Sequence, residues 1–281
     1  MVLQTEKSTV AIVKGERGHD PVFKALDLIN YEGCLSGYKK ALIKVNFIST
    51  KTWESGATTD PIVVEAIIQK LKPLGLEVYV VESDATMTNA DKAYEATGMK
   101  EMCQQNGVEF LNLRYQKEKV KIPIPGCETL GSITVPKIVT ESAVISAAKL
   151  KTHMATKVTL GMKNMFGLLP DKFKAKYHAR GISSVVVDIN SVIKPALTVI
   201  DGFVAMEGRG PTDGTPVKMD LIIAGKDVVA TDATGARIMG FEPKEISHIR
   251  RAGEKGLGNI DNIEILGSKL EDVKQVFKRS K

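Results

Sequence analysis

A chain of 281 residues with 43% apolar residues is long enough to bury one sizeable core, or two smaller ones. Its formal charge of +6 is a mild cationic bias that suits an anionic ligand, while one Trp and the lack of a Lys-rich or Arg/Gly-rich tail argue against a nucleic-acid partner. The first ten residues, MVLQTEKSTV, are polar and no apolar run approaches the ~18 residues of a membrane span, so a cytoplasmic protein with no membrane partner is expected.

In chain order, VAIV at 10–13, ALIKV at 41–45 and LEVYVV at 76–81 are continuous, β-branched runs and predict buried strands. PIVVEAIIQKL at 61–71 predicts a helix with Pro61 in its first turn, Asp60 as its cap, and Val64, Ile67, Ile68 and Leu71 on one apolar stripe. Shorter helices are expected over 89–97 and 100–105, and a strand in VEFLNL after Gly107. The proline- and glycine-containing stretch 117–136 predicts a small antiparallel insertion. SAVISAA at 142–148 returns as a core strand, and GISSVVVDINSVI at 181–193 has helical spacing. ALTVID, KMDLIIAG and IEIL predict strands; 228–240 and 243–258 predict helices capped by Gly240 and Gly256. This alternation predicts an α/β fold with a mostly parallel sheet flanked by helices. Residues 1–281 form either one domain or two lobes, about 1–150 and 151–281, with a site between them. In such sheets ligands collect beyond the carboxyl ends of the strands.

The run from Lys149 to Pro170, KLKTHMATKVTLGMKNMFGLLP, places Lys149, Lys151, His153, Lys157 and Lys163 within fifteen residues with no acid among them. A charge run of one sign, interleaved with small residues and glycine, is where an anion would be held; the plainer alternative is a surface helix with its acids on a neighbouring element. Read as a helix over 151–164, the block would set His153 and Lys157 on one face. His153, among cations, should stay neutral near pH 7 and act as a base or metal ligand, or else only hydrogen-bond a loop. Lys163 and Asn164 lie between Gly161 and Gly167, which allow close approach, but the order is not that of a P-loop. Lys44 and Asn46 alternate onto one face of a strand, where Lys44 either meets an anion or carboxylate or reaches back to water. Thr58 and Thr59 precede a helix N-terminus, a place suited to anions. Lys172, Lys174, Lys176, His178 and Arg180 form a second basic cluster, either a lid or a solvated loop. DGFVAMEGRGPTDG at 201–214 brings Asp201, Glu207 and Asp213 close to Arg209; these acids would bind a divalent metal such as Mg²⁺ or simply neutralise the lysines, one of which Asp232 would orient.

KLKTH followed by VTLGMKNMFGLLP resembles the signature of the DUF362 family, a domain of unknown function. The resemblance extends in order through LIKVNF at 42–47, TTDP at 58–61, VVES at 80–83, the 201–214 segment and DVVATDATGARIMG at 227–240. It implies a site more readily than a reaction. Relatives in that family look as if they carry an added ferredoxin-like segment with four-cysteine clusters; here Cys34, Cys103 and Cys127 are far apart and fit no such pattern. A 4Fe-4S cluster would need a homodimer supplying two cysteines from each chain, so free thiols are expected. The reading that results is a protein that binds an anionic small molecule, a carboxylate or phosphate, and moves a proton or group on it. His153 and Lys163 are its catalytic candidates; Lys44, Asn46, Thr59, Lys149, Lys151, Lys157, Asn164 and Arg209 are its ligand-binding candidates. An iron–sulfur or redox-partner role is the alternative.

Overall fold

The computed structural model describes residues 7–280, so residues 1–6 of the polar N-terminal stretch lie outside the described residues. The strands are β1 (Ser8–Lys14), β2 (Lys40–Lys44), β3 (Glu77–Glu82), β4 (Glu109–Asn112), β5 (Lys119–Pro123), β6 (Ser132–Pro136), β7 (Ala143–His153), β8 (Lys157–Thr159), β9 (Leu197–Glu207), β10 (Thr215–Gly225) and β11 (Ile263–Gly267). Nine of them form one sheet in the order β11-β1-β10-β9-β7-β2-β3-β4, with β8 paired to β7. The run β9-β7-β2-β3-β4 is parallel, and β10 is antiparallel to both its neighbours. The α/β architecture therefore follows the strand–helix alternation, and the sheet takes strands from both halves of the chain. β5 and β6 pair antiparallel as a separate two-stranded sheet, the insertion expected over 117–136.

Each sheet face has its own apolar core. Ala41, Ile43, Ile145 and Ala147 point toward the helices His19–Leu28 and Pro61–Leu71. Leu42, Val81, Val144 and Leu150 point the other way, under Ile182–Val192, Val228–Ile238 and Ser247–Glu254. Asp60 caps the Pro61–Leu71 helix, its carboxylate accepting from Ile62 N at 3.0 Å. Gly240 and Gly256 have φ of 78° and 69°, the left-handed conformation that ends a helix at little cost to glycine. The helix expected over 243–258 is interrupted: a 3-10 turn, Pro243–Glu245, precedes Ser247–Glu254. No helix among the described residues is long and apolar enough to cross a membrane.

Two segments differ from expectation where the site is built. β7 does not stop at 148 but runs on to His153, so 151–164 is not one helix. The backbone there pairs with β9 and with β8, leaving only Gly161–Asn164 helical. Likewise Asp201 to Glu207 is strand, not glycine loop, because it pairs along β10.

The insertion is tied down by a buried carboxylate. Asp188 Oδ1 accepts from Glu128 N at 2.6 Å, and Oδ2 accepts from Thr129 N at 2.9 Å and Leu130 N at 2.8 Å. Asp188→Ala leaves three amides without their acceptor and is expected to cost about 3 kcal/mol, measured by urea unfolding. A loss below roughly 1 kcal/mol would mean that water replaces the carboxylate freely.

Candidate functional site

The extension of β7 explains the site. Ala143, Ile145 and Ala147 line one apolar face, and with the two-residue repeat of a strand Lys149, Lys151 and His153 continue that face beyond the core. The three lead from the sheet interior out to a cavity of about 400 Å³ at the carboxyl ends of β2, β3 and β7. Lys44, Lys151, Lys163, Lys174, His153 and His178 line it, opposed by a single carboxylate, Glu82.

That carboxylate is already engaged. Lys44 Nζ donates to Glu82 Oε2 at 2.8 Å, to Val45 O at 2.6 Å and to Asn164 Oδ1 at 3.2 Å. A buried strand lysine thus meets a carboxylate and does not reach back to water; burial still holds it below the usual lysine range, against the pull of Glu82. Gly167 packs on this pair, and a Cβ there would displace the ends of both Glu82 and Lys44. Asn164 is the floor of the cavity: its Oδ1 also accepts from Asn46 Nδ2, and its Nδ2 donates to Lys44 O and Ser146 Oγ.

Among the described residues, the remaining lysines of the cavity have no carboxylate partner. Lys151 Nζ donates to Asn46 Oδ1 at 2.7 Å, Ala57 O at 2.5 Å and Pro211 O at 3.4 Å, which are all neutral acceptors. Burial and then the neighbouring Lys149 and Lys163 drive its pKa well down. Lys174 Nζ donates to Ser83 Oγ at 2.7 Å, and burial pushes it down to about 8. Lys163 is 9% exposed and has no hydrogen bond or ion pair among the described residues; its Nζ lies 4.6 Å from the centroid of the Phe166 ring. Burial, then Lys174 and Lys44, push it down to about 7. His153 Nδ1 accepts from Ala155 N at 3.0 Å, which places the ring proton on Nε2. Burial, then Lys163 and Lys151, push it to about 2, so it is neutral as expected but a far weaker base than a histidine near 7.

Other sequence candidates have structural roles. Lys149 is fully buried and paired to Asp201 at 2.8 Å, so it contributes to the interior and does not contact the cavity. Asp201 accepts in addition from Asp60 N at 2.8 Å and Phe203 N at 3.1 Å. Thr59 is fully buried, its hydroxyl donating to Ala147 O and accepting from Asn46 N. The helix N-terminus after it is occupied by Asp60, which Arg17 grips at 2.7 and 2.9 Å. Lys157 faces away, exposed, its Nζ on Glu245 O at 2.9 Å; it sits across from His153 in a strand pair and does not share a helix face with it. Arg209 is exposed and outside the cavity lining. Asp232 does not orient a lysine: it accepts from Gly161 N at 2.7 Å and Met162 N at 2.9 Å, fixing the turn that carries Lys163, and burial pushes it up to about 8.

The three acids proposed for a metal do not converge. Asp201 and Glu207 are six residues apart on β9, with Asp201 bonded to Lys149 in the sheet interior and Glu207 beyond an irregularity in the pairing with β7. Glu207 accepts from Lys278 N at 2.8 Å, and Asp213 is exposed with Lys51 at 3.0 Å. Among the described residues no three His, Cys, Asp or Glu side chains gather as a metal site requires. Cys34 donates to Tyr31 O at 2.9 Å, Cys103 is buried with its thiol pushed up to about 11, and Cys127 is exposed.

Of the basic cluster offered as a lid or a solvated loop, Lys174 and His178 line the cavity; sequence reasoning did not single out Lys174 as a site residue, nor Ser83 and Phe166. Lys174 sits in a run of exposed lysines, and the packing of Phe166 against Tyr177 and His178, centroids 5.6 and 6.1 Å apart, together with the Lys174–Ser83 hydrogen bond, holds that segment over the cavity.

Among curated proteins, the chain is 28% identical over 228 residues to the thylakoid-associated protein sll1697 of Synechocystis sp. (strain ATCC 27184 / PCC 6803 / Kazusa), covering 78% of this chain and 68% of that one. The profile of the domain of unknown function DUF362 matches residues 41–237, from β2 through the helix Val228–Ile238, and so includes the cavity-lining residues of all three parallel strands. The chain is a member of the DUF362 family.

Proposed function

We propose that this protein binds a small anionic molecule, a carboxylate or phosphate compound, in the cavity between β2, β3 and β7 and carries out proton- or group-transfer chemistry on it. The carrying observation is the charge balance: four lysines and two histidines face one cavity, and its single carboxylate is already bonded to Lys44. Lys163, Lys174 and His153 Nε2 retain donors that nothing in the wall accepts. Lys163, pushed down to about 7, is placed to exchange a proton near neutral pH, and His153 serves as a hydrogen-bond donor. A cytoplasmic site of action belongs to the same proposal and is testable by fractionation.

The test is thermal unfolding of the wild type and Lys163→Met across added phosphate, nucleotides and dicarboxylates. Without an anion the variant should be the more stable of the two near pH 7, by an amount that narrows as pH rises, since it removes an unpaired buried amine while keeping the chain's volume. With a binding anion it should forgo roughly 1.5–3 kcal/mol of stabilisation, the range for a hydrogen bond to a charged group. Equal stabilisation of both proteins by every anion would remove Lys163 from the site.

A further inference from the structure

We propose that Lys163 forms a covalent imine with a carbonyl carbon of the bound molecule, so that the ligand of this cavity is an aldehyde or ketone that also carries an anionic group, a 2-oxo acid being the simplest. This rests on the anion-binding reading above and names its substrate class.

The geometry singles out one lysine of four. Lys44 is held by Glu82, and Lys151 Nζ is turned to three neutral oxygens, of Asn46, Ala57 and Pro211. Lys174 is anchored on Ser83 Oγ. Lys163 alone among them has no hydrogen-bond partner among the described residues, although it is nine-tenths buried and lines the cavity. Lys163 and Lys174 lie 4.6 and 5.4 Å from the centroid of the same Phe166 ring, with no carboxylate bonded to either. Two ammonium groups so placed repel, which favours one of them as the free amine, and a lysine desolvated beside other cations is the usual form of an amine nucleophile. The fall of Lys163 to about 7 agrees with this.

The step balances without an added reagent. The Lys163 Nζ lone pair attacks the carbonyl carbon, the carbonyl oxygen gains a proton and the nitrogen loses one, giving a carbinolamine. A second proton, from the Lys174 ammonium, lets the hydroxyl leave as water while the nitrogen lone pair forms the C=N bond. Amine, carbonyl and the Lys174 proton become a protonated imine and water, and Lys174, left as the free amine, takes a proton back from solvent. The protonated imine then lies over the Phe166 face, which favours a cation there. The ligand's anionic group is left to the remaining donors of Lys174 and to His153 Nε2.

The experiment is reductive trapping. The protein is incubated with pyruvate, and separately with glyceraldehyde 3-phosphate, then treated with borohydride and mapped by peptide mass. The expected result is one stoichiometric adduct on Lys163 with at least one probe, lost in Lys163→Arg and kept in Lys157→Arg; which probe labels tells carboxylate from phosphate. The trapped fraction should rise as pH is raised through about 7. Labelling that is equal in the wild type and Lys163→Arg, or no labelling with either probe, overturns the imine. If, in that case, the same probes or phosphate still stabilise the protein in a Lys163-dependent way, only the covalent step is lost. If they do not, the anion-binding reading falls as well.

Discussion

Asp201→Ala is expected to lose about 3–5 kcal/mol of stability, the cost of leaving a buried charge without its partner. Lys149 and Asp201 are both fully buried, 2.8 Å apart, and the same carboxylate holds Asp60 N at the start of a helix and Phe203 N within its own strand. A single truncation therefore strands an ammonium and two amides. The double variant Lys149→Met/Asp201→Leu should be more stable than Asp201→Ala, because replacing a buried pair by apolar side chains removes the desolvation penalty along with the attraction. Urea unfolding of the wild type, Asp201→Ala and the double variant measures this. A loss under roughly 1 kcal/mol in Asp201→Ala would show that Lys149 reaches water at little cost.

The second large effect is a stability that rises with pH. Lys163 titrates at about 7 in the folded chain against 10.5 for an ordinary lysine. Below about pH 7 the folded chain carries the buried ammonium and its penalty in full. Between 7 and 10.5 the unfolded chain binds more protons, so stability increases with pH, by at most about 1.4 kcal/mol per pH unit for one group. Lys174, at about 8, adds to the upper part of this window. Asp232, raised to about 8, acts in the opposite sense only below that value, so the clean interval is pH 8 to 10. The difference between wild type and Lys163→Met isolates the Lys163 contribution, and it should shrink steadily over that interval. Non-covalent stabilisation by phosphate should meanwhile weaken as pH rises, because the bound anion prefers the charged amine. A wild-type-minus-variant difference that is flat from pH 8 to 10 would place Lys163 in ordinary solvent.

Much of the architecture was legible because it rests on local rules. Continuous β-branched runs became the parallel strands, Asp60 and Pro61 began a helix as caps do, and the stretch 117–136 became the separate hairpin. Polar residues at the ends of LIKVNF, VVES and the 142–148 run did gather around one cavity. What was not legible is which charge meets which. Lys149 and Lys151 look alike in sequence, yet one faces a carboxylate 52 residues away and the other faces only neutral oxygens. The density of lysine and glycine in 149–164 also hid a strand, since the pairing that makes it one comes from β9, some fifty residues downstream. The acids of 201–213 were close in number but are spread along an extended strand and an exposed turn, and nearness in sequence does not survive that geometry.

The extended β7 also predicts how tolerance to mutation should vary with depth. Lys149 is neutralised inside the sheet, Lys151 is satisfied but uncharged by any partner, and His153 stands at the rim with a free Nε2–H. Substitutions at these alternate positions of a single strand should grade from loss of cellular abundance at 149, through mixed defects at 151, to loss of function with normal abundance at 153. A saturation scan that scores abundance and function separately would then show where the scaffold ends and the chemistry begins, along a strand only eleven residues long.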